Sequence, residues 1–416
     1  MLRSRNASLT FILITLLLDT LGIGLIVPVL PRLVTGFAGG DLAAGSRYYG
    51  ALIAVYAAMQ FVFAPILGGL SDRFGRRTVL LSSLLGAALD YVLLALAPNL
   101  AWLVVGRVIA GITGASFSAA TAYIADVTPA ERRAQSFGLV GAAFGIGFII
   151  GPAIGGLLGS ANLRLPFMVA AGLNLLNFFY GLFVLPESLA PEHRRAFSLR
   201  RANPFSSLLN LGRHPLVLGL TSTLVCATLA QHMLQSIWAL YGQARFGWSE
   251  REIGISFTVV GVAAALVQGG LVRAIIPRLG ERRSLVLGMA VGVLGFAAYG
   301  AVPQGWMMYV VILPAAIAGI AGPAIQALIS REVGPSEQGE VQGSLSSLGS
   351  VMAILGPLIG ADLFARFSPP DAPVRIPGAP FFVAALLNAF ALLLVTRLFA
   401  RTPAATPVAA EVSPEP

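Results

Sequence analysis

The sequence predicts an all-α integral membrane protein, with twelve transmembrane helices arranged as two related halves of six. Three observations predict it. The 416 residues are 56% hydrophobic and only 11% charged. Apolar stretches of membrane-crossing length recur along the whole chain. The second half repeats short landmarks of the first in the same order.

Composition excludes several classes. A soluble chain carries about 25% charged residues, so this one lacks the charge to cover a water-facing surface of its size. Its 47 Gly suit packed transmembrane helices, where small side chains let backbones approach. The net charge of +9 comes from 27 basic residues, all Arg, scattered singly and in short clusters between apolar runs. Nucleic-acid binding needs a basic face or stripe, and none is formed. Cys226 is the single cysteine and sits in an apolar run, so neither a disulfide framework nor metal-ligand spacing exists. It reads as a small packed side chain. With no Lys there is no phosphate-cradling loop ending in Lys-Ser/Thr, so no use of ATP and no cofactor are expected.

The spans follow from length. A bilayer core of roughly 30 Å needs about 20 apolar residues per helix, and such windows fall at 9–31, 48–70, 78–97, 101–125, 136–159, 165–185, 215–241, 252–276, 284–302, 306–330, 341–364 and 380–399. The first is too long for a signal-peptide core and lacks a small-residue cleavage pattern, so it is expected to stay as a span. Breaks fall at charged clusters and Pro/Gly turns. The longest polar interruption, 187–214, separates a first half (1–186) from a second (215–401), and the Pro/Ala/Glu-rich tail 402–416 is expected to be disordered. Counting Arg on alternate loops puts 19 on the side of the two termini and 7 on the other. The positive-inside rule then places both termini and the central loop in the cytoplasm.

The repeat has an offset of about 200 residues. GGL at 68–70 recurs at 269–271, each before an Arg-rich loop. AGITGA (110–115) matches AGIAGP (318–323), DVTPAERRAQ (126–135) matches EVGPSEQGEV (332–341), and GPAIG (151–155) matches GPLIG (356–360). Parallel repeats of six spans are the architecture of secondary transporters that rock two halves about a central substrate site.

The loop between spans 2 and 3 reads GGLSDRFGRR. Gly68 permits close helix packing and Gly75 a tight turn. Asp72 sits where a helix dipole or an Arg can hold it, and Arg73, Arg76 and Arg77 follow. Asp126, at the end of span 4, is a candidate partner for Arg76. This pattern resembles the signature loop of the major facilitator superfamily, which implies that fold and a charge latch that forms in one transport state and breaks in the other. The alternative is an ordinary positive-inside cluster. Span 5 carries Gly141, Gly145, Gly147, Gly151, Pro152, Gly155 and Gly156. The glycines make a flat face and Pro152 bends the helix. The run resembles the antiporter motif of drug:proton exchangers in that superfamily, with generic Gly packing as the alternative.

Charges inside spans are costly and are treated as functional by default. Asp19 in span 1, Asp90 in span 3 and Arg107 in span 4 are such charges. A carboxylate out of water can take up a proton near neutral pH and release it when solvent reaches it, which suffices for antiport if cargo binds the same cavity. A structural ion pair is the alternative.

The stretches LLLDTLGIGLIVPVLP, LIAVYAAMQFVFAPILGGLSDRFGRRTVLLSSLLGAALDY, GRVIAGITGASFSAATAYIAD and ARFGWSEREIGISF resemble the tetracycline:proton antiporters of the TetA class. That resemblance implies efflux of a tetracycline–divalent cation complex in exchange for protons across a bacterial inner membrane, by a monomer, with Asp19, Asp90 and Arg107 on positions that matter in the class. The second half departs from the class. Its span 9 acid is replaced by Gly292, and its span 8 His by Ala264, with only Gln268 kept. Proton coupling is therefore expected from the first half. Candidate cavity residues are Gln60, Asn174, Gln231, His232, Gln235, Gln268 and Gln326, with Trp238 as an aromatic wall; Asn177 and Asn388 are further polar candidates. Each alone can equally be an interhelical hydrogen bond. Export or import of another metabolite stays open, while three His in the chain argue against a membrane enzyme.

Overall fold

The structure, a computed structural model, describes residues 2–114, 117–195, 215–334 and 337–401. Among them twelve helices are long and apolar enough to cross a membrane: spans 1 to 12 are Leu9–Ile26, Leu42–Phe74, Arg76–Leu96, Leu100–Val127, Gln135–Ala161, Leu165–Val184, Leu216–Phe246, Glu250–Leu279, Glu281–Ala301, Gly305–Glu332, Gln338–Phe367 and Ala379–Arg401. Residues 196–214 of the expected central loop and the expected tail 402–416 lie outside the described residues.

Sequence chemistry explains where the helices stop. Span 1 ends at Ile26, short of the expected 31 and two residues before Pro28, which has no backbone N–H to carry the helix on. A separate short helix, Leu30–Phe37, follows with Pro31 in its first turn. The Asp41 carboxylate accepts from the backbone N–H of Ala43 and Ala44 and caps span 2. Ser249 and Glu252 form a reciprocal capping box at the start of span 8. Two spans leave the α-helix midway: Val267–Leu271 of span 8 makes a π turn, and Ile317–Ile320 of span 10 a 3₁₀ turn.

An even number of crossings brings both described ends of the chain to one face, here the terminal face; the opposite one is the far face. Packing differs between the two. At the far end one apolar core runs through both halves, uniting Leu25, Val29 and Tyr49 with Trp238, Tyr241 and Phe381. Toward the terminal face the core divides, with Phe11, Val79 and Tyr123 in the first half and Val217, Leu285 and Val395 in the second. The halves are joined at the far face and parted by a cleft open to the terminal face.

Glycines mark where they touch. A Cβ at Gly254 (span 8) would run into the Pro152 carbonyl of span 5, and one at Gly261 would lie 2.7 Å from Ile149. Nearer the terminal face, a Cβ at Gly141 or Gly145 in span 5, or at Gly269 or Gly270 in span 8, would meet nothing within 4 Å. Spans 5 and 8 therefore cross in contact at the far side and diverge. Spans 2 and 11 meet on the far side too, where a Cβ at Gly50 would lie 2.5 Å from that of Ala361.

Candidate transport pathway

The first half gathers the expected membrane charges. Arg107 Nη2 donates to Asp90 Oδ2 at 3.1 Å, tying span 4 to span 3. The pair is buried, with Asp90 1% and Arg107 7% exposed. Gly106 makes room for it, since a Cβ there would lie 2.7 Å from Asp90 Oδ1. That Oδ1 and the Arg107 Nε have no hydrogen-bond partner, which leaves capacity for another ligand or a proton. The Arg107 guanidinium stands 5.7 Å from the centre of the Tyr56 ring in span 2. Gln60 Nε2, one helical turn on, donates to the Tyr56 hydroxyl at 2.8 Å. Asp19 makes no hydrogen bond or ion pair among the described residues; it is half-buried on span 1, one turn before Gly22, where a Cβ would lie 3.2 Å from the Tyr91 hydroxyl. Asp90 and Arg107 thus share one site with Tyr56 and Gln60, and Asp19 stands one turn from the contact of span 1 with Tyr91. Tyr56 and Tyr91 were missed in the sequence, although LIAVYAAMQ places Tyr56 one turn before Gln60.

The signature loop folds into a second cluster at the terminal face. Arg76 reaches Asp72 at 2.5 Å and Asp126 at 3.3 Å, and donates to Ser71 Oγ at 2.6 Å. Gly75 has φ +101°, a left-handed conformation suited to glycine. Arg77 donates to the Leu182 carbonyl at 2.6 Å, and Arg73 lies over the Phe74 ring. Gly68 is near Ser118, 3.6 Å from where a Cβ would lie. Two residues were not singled out from sequence: Glu187 accepts from the Arg76 backbone N–H at 2.9 Å, and Ser188 donates to Asp126 at 3.0 Å. Both stand at the start of the polar interruption, which reads as linker when charge alone is counted.

Span 5 presents two stripes. Gly147, Gly151 and Gly155 repeat every fourth residue and lie against Thr20, Gly24 and Leu25 of span 1. Ile149, Pro152 and Gly156 lie against Gly261, Gly254 and Glu250 of span 8. Gly145 and Gly141 continue the second stripe into the open cleft.

The expected cavity residues divide. Gln231 and Gln235 are exposed on span 7, and His232 is half-buried against Gly356 of span 11. Trp238 is not a cavity wall: it is 2% exposed, its Nε1 donates to Ser256 Oγ at 2.9 Å, and it packs edge-on against Tyr299. Asn174 is not a lining residue either. It is fully buried, with Nδ2 on the Ala170 carbonyl at 3.0 Å and Oδ1 without a partner. Asn177 bonds Thr15, and Asn388 bonds the Ala384 carbonyl. Gln326 accepts from Gln342 at 2.9 Å, joining spans 10 and 11. Gln268 lies in the π turn of span 8 and donates to the carbonyl of Gly319 in the 3₁₀ turn of span 10. Gly292 is buried beside Asn388 and Ala318, and Ala264 is exposed. No group of three metal-ligating side chains occurs among the described residues.

Known proteins carry the same organisation. A sequence profile described as the Major Facilitator Superfamily matches residues 12–357 and 274–415. The class C tetracycline resistance protein of Escherichia coli is 44% identical over 364 residues, covering 88% of this chain and 91% of that protein. The class B protein of Escherichia coli is 36% identical, covering 94% and 96%. Among solved structures, a bacterial homolog of the human lysosomal transporter Spinster, inward-facing and unoccupied, superposes with TM-score 0.74 at 17% identity, over 97% of this chain and 99% of that one.

Proposed function

Since the chain belongs to the major facilitator superfamily, we propose that it is a proton-coupled antiporter that exports tetracycline or a related amphipathic drug by alternating access. The chain is not an enzyme. The observation that carries the proposal is the buried Arg107–Asp90 pair of the first half, beside Tyr56 and Gln60, with the half-buried, unbonded Asp19 on neighbouring span 1 supporting it. Kinship with curated tetracycline resistance proteins supports the cargo.

In this reading the cleft opens to the cytoplasm, both termini are cytoplasmic, and the membrane is the bacterial inner membrane. Drug, as a divalent-cation complex, enters from that side while Asp19 is unprotonated. The halves then rock, closing the terminal face and opening the far one. A proton arriving at Asp19 displaces the cargo outward, and the return stroke carries the proton in. Asp90 with Arg107 holds the fixed charge against which that proton is gained and lost. The Asp72–Arg76–Asp126 cluster stays within the first half while the cleft is open and is the surface on which the closing terminal face lands. The segments 1–186 and 215–401 act as the two rocking units of a single functional monomer.

A second reading, export of another small metabolite, is favoured by one observation. The second half has no acid at Gly292 or His at Ala264, where the resemblance to the TetA class leads one to expect them. One experiment separates the readings: drug susceptibility of a pump-deficient bacterium expressing the chain, tetracyclines included, against Asp19→Asn. Protection by the parent and not by the variant is expected. If no drug is excluded better by the parent, export of drugs is refuted. Substrate-induced proton release from everted vesicles tests coupling separately.

A further inference from the structure

Among the described residues, two ion pairs join the halves at the far face. Arg32, in the short helix after span 1, reaches Glu250 Oε1 at 2.6 Å. Arg47, at the start of span 2, reaches Asp362 of span 11 at 3.2 Å, and Asp362 is shared with Arg366. They differ in setting. Arg47 and Asp362 are both about half exposed, where ion pairs contribute little. Glu250 is buried, its side chain 3% exposed, whereas Arg32 reaches in from solvent.

Burial of Glu250 is built into the backbone around it. It opens span 8, where the helix dipole favours a negative charge. Span 5 accommodates it through two glycines: a Cβ at Gly156 would strike the Glu250 carbonyl, and one at Gly159 would lie 3.4 Å from Glu250 Cβ. The acid is thus seated where spans 1, 5 and 8 converge, at the rim of the core that unites the halves. A buried carboxylate that loses its cation is strongly penalised unless water reaches it. Separating the halves at this face would remove Arg32 and admit water together.

We propose that Arg32–Glu250 is a lock on the far gate, with Arg47–Asp362 as a weaker second clasp, and that the two pairs set how much of the time the cleft faces the terminal side. These are positioning residues: they touch neither the buried charges of the first half nor the cleft. Weakening them shifts the population toward the state open at the far face.

The test uses the full chain, purified in detergent, with Cys226→Ala and a reporter Ser46→Cys. Ser46 is fully buried in span 2, one turn before Gly50 at the contact with span 11. Its labelling rate by a maleimide reads opening of the far gate. Arg32→Gln or Glu250→Gln is expected to raise that rate about fivefold or more, the change that loss of a modest ion-pair contribution gives to a two-state population. Arg47→Gln should raise it less. The charge swap Arg32→Glu with Glu250→Arg should return it toward the parent rate. A second reporter, Ser284→Cys, buried in the terminal-side core of the second half, should stay unlabelled throughout and exclude misfolding. Neutral variants labelling no faster than the parent, or a swap as fast as the single variants, would overturn the proposal. Labelling needs no cargo, so failure of the drug-export reading leaves this test standing.

Discussion

The two stripes of span 5 make opposite predictions for the same substitution. At Gly155 an added Cβ would run into the Leu25 carbonyl, and at Gly151 it would lie 2.8 Å from the Gly24 Cα. Both obstacles are backbone, which cannot rotate away, so spans 1 and 5 must part. Overpacking of this kind costs about 1–3 kcal/mol, against which alanine returns roughly 1 kcal/mol of helix propensity over glycine. Gly155→Ala should therefore destabilise by up to about 2 kcal/mol. At Gly145 the added methyl meets nothing within 4 Å, so only the propensity gain remains and Gly145→Ala should melt at or slightly above the parent. Its cost appears elsewhere. Gly145 continues the stripe that faces span 8, and closing the terminal face brings the two helices together there. Gly145→Phe should then leave thermal stability near that of the parent while transport into everted vesicles falls tenfold or more, since about 1.4 kcal/mol on the closed state already gives tenfold. The pair of assays is melting in detergent and vesicle uptake on the same preparations. Equal destabilisation by Gly145→Ala and Gly155→Ala, or parental transport by Gly145→Phe, would refute the assignment of the stripes.

Other sites give shorter predictions. Arg107→Leu removes the cation bonded to a buried Asp90 and should destabilise by about 3–5 kcal/mol, whereas Asp90→Asn with Arg107→Leu should recover most of that, as read by denaturation in detergent. Single and double variants of equal stability would show that the pair contributes nothing to folding. Gly75→Ala places a Cβ on a residue with φ +101° and against the Glu187 carboxylate, so a loss of about 1–3 kcal/mol in the same assay is expected. Insensitivity there would mean that the loop relaxes freely around Arg76.

The fold was legible because the solvent dictates it. In a bilayer every backbone group must be satisfied internally, so apolar length alone announces helices, and the twelve windows coincide with the twelve spans apart from their ends. Where the reading erred, local chemistry or packing overrode the count. Span 1 stops at Ile26, just ahead of Pro28, which an apolar count ignores. The charges within the spans were legible for the reason that charge at membrane depth is rare. Polar amides were not, because sequence does not say whether a Gln or Asn meets water or another helix. Gln231 is exposed, whereas Asn174 is sealed between spans. Trp238 has the aromatic face a cavity wall requires, but its indole N–H found Ser256, two turns into the neighbouring span, and the ring became core. The far-face pairs were invisible for a different reason: Arg32 and Glu250 stand 218 residues apart, and only the packing of the halves brings them together.

The asymmetry between the halves is itself a packing fact, which a final substitution tests. If the missing acid of span 9 were merely deleted, Gly292→Asp would restore a working group. The structure argues otherwise. Gly292 is buried with Asn388 Oδ1 at 3.5 Å and Ala318 Cβ at 3.6 Å from a Cβ position. There is space for a small side chain, but no cation of the kind Arg107 supplies to Asp90 is bonded nearby, and the Asn388 amide N–H is engaged with Ala384. A carboxylate there would be desolvated without a partner and would shed its charge or push the spans apart. Gly292→Asn should consequently be tolerated, with melting close to the parent, and Gly292→Asp should destabilise by several kcal/mol at neutral pH, on the scale of about 3–5 kcal/mol for an uncompensated buried charge. Equal melting of the two variants, with gain of transport by Gly292→Asp, would mean that the second half retains a latent ion site; melting as expected would leave the first half as the seat of the charge chemistry.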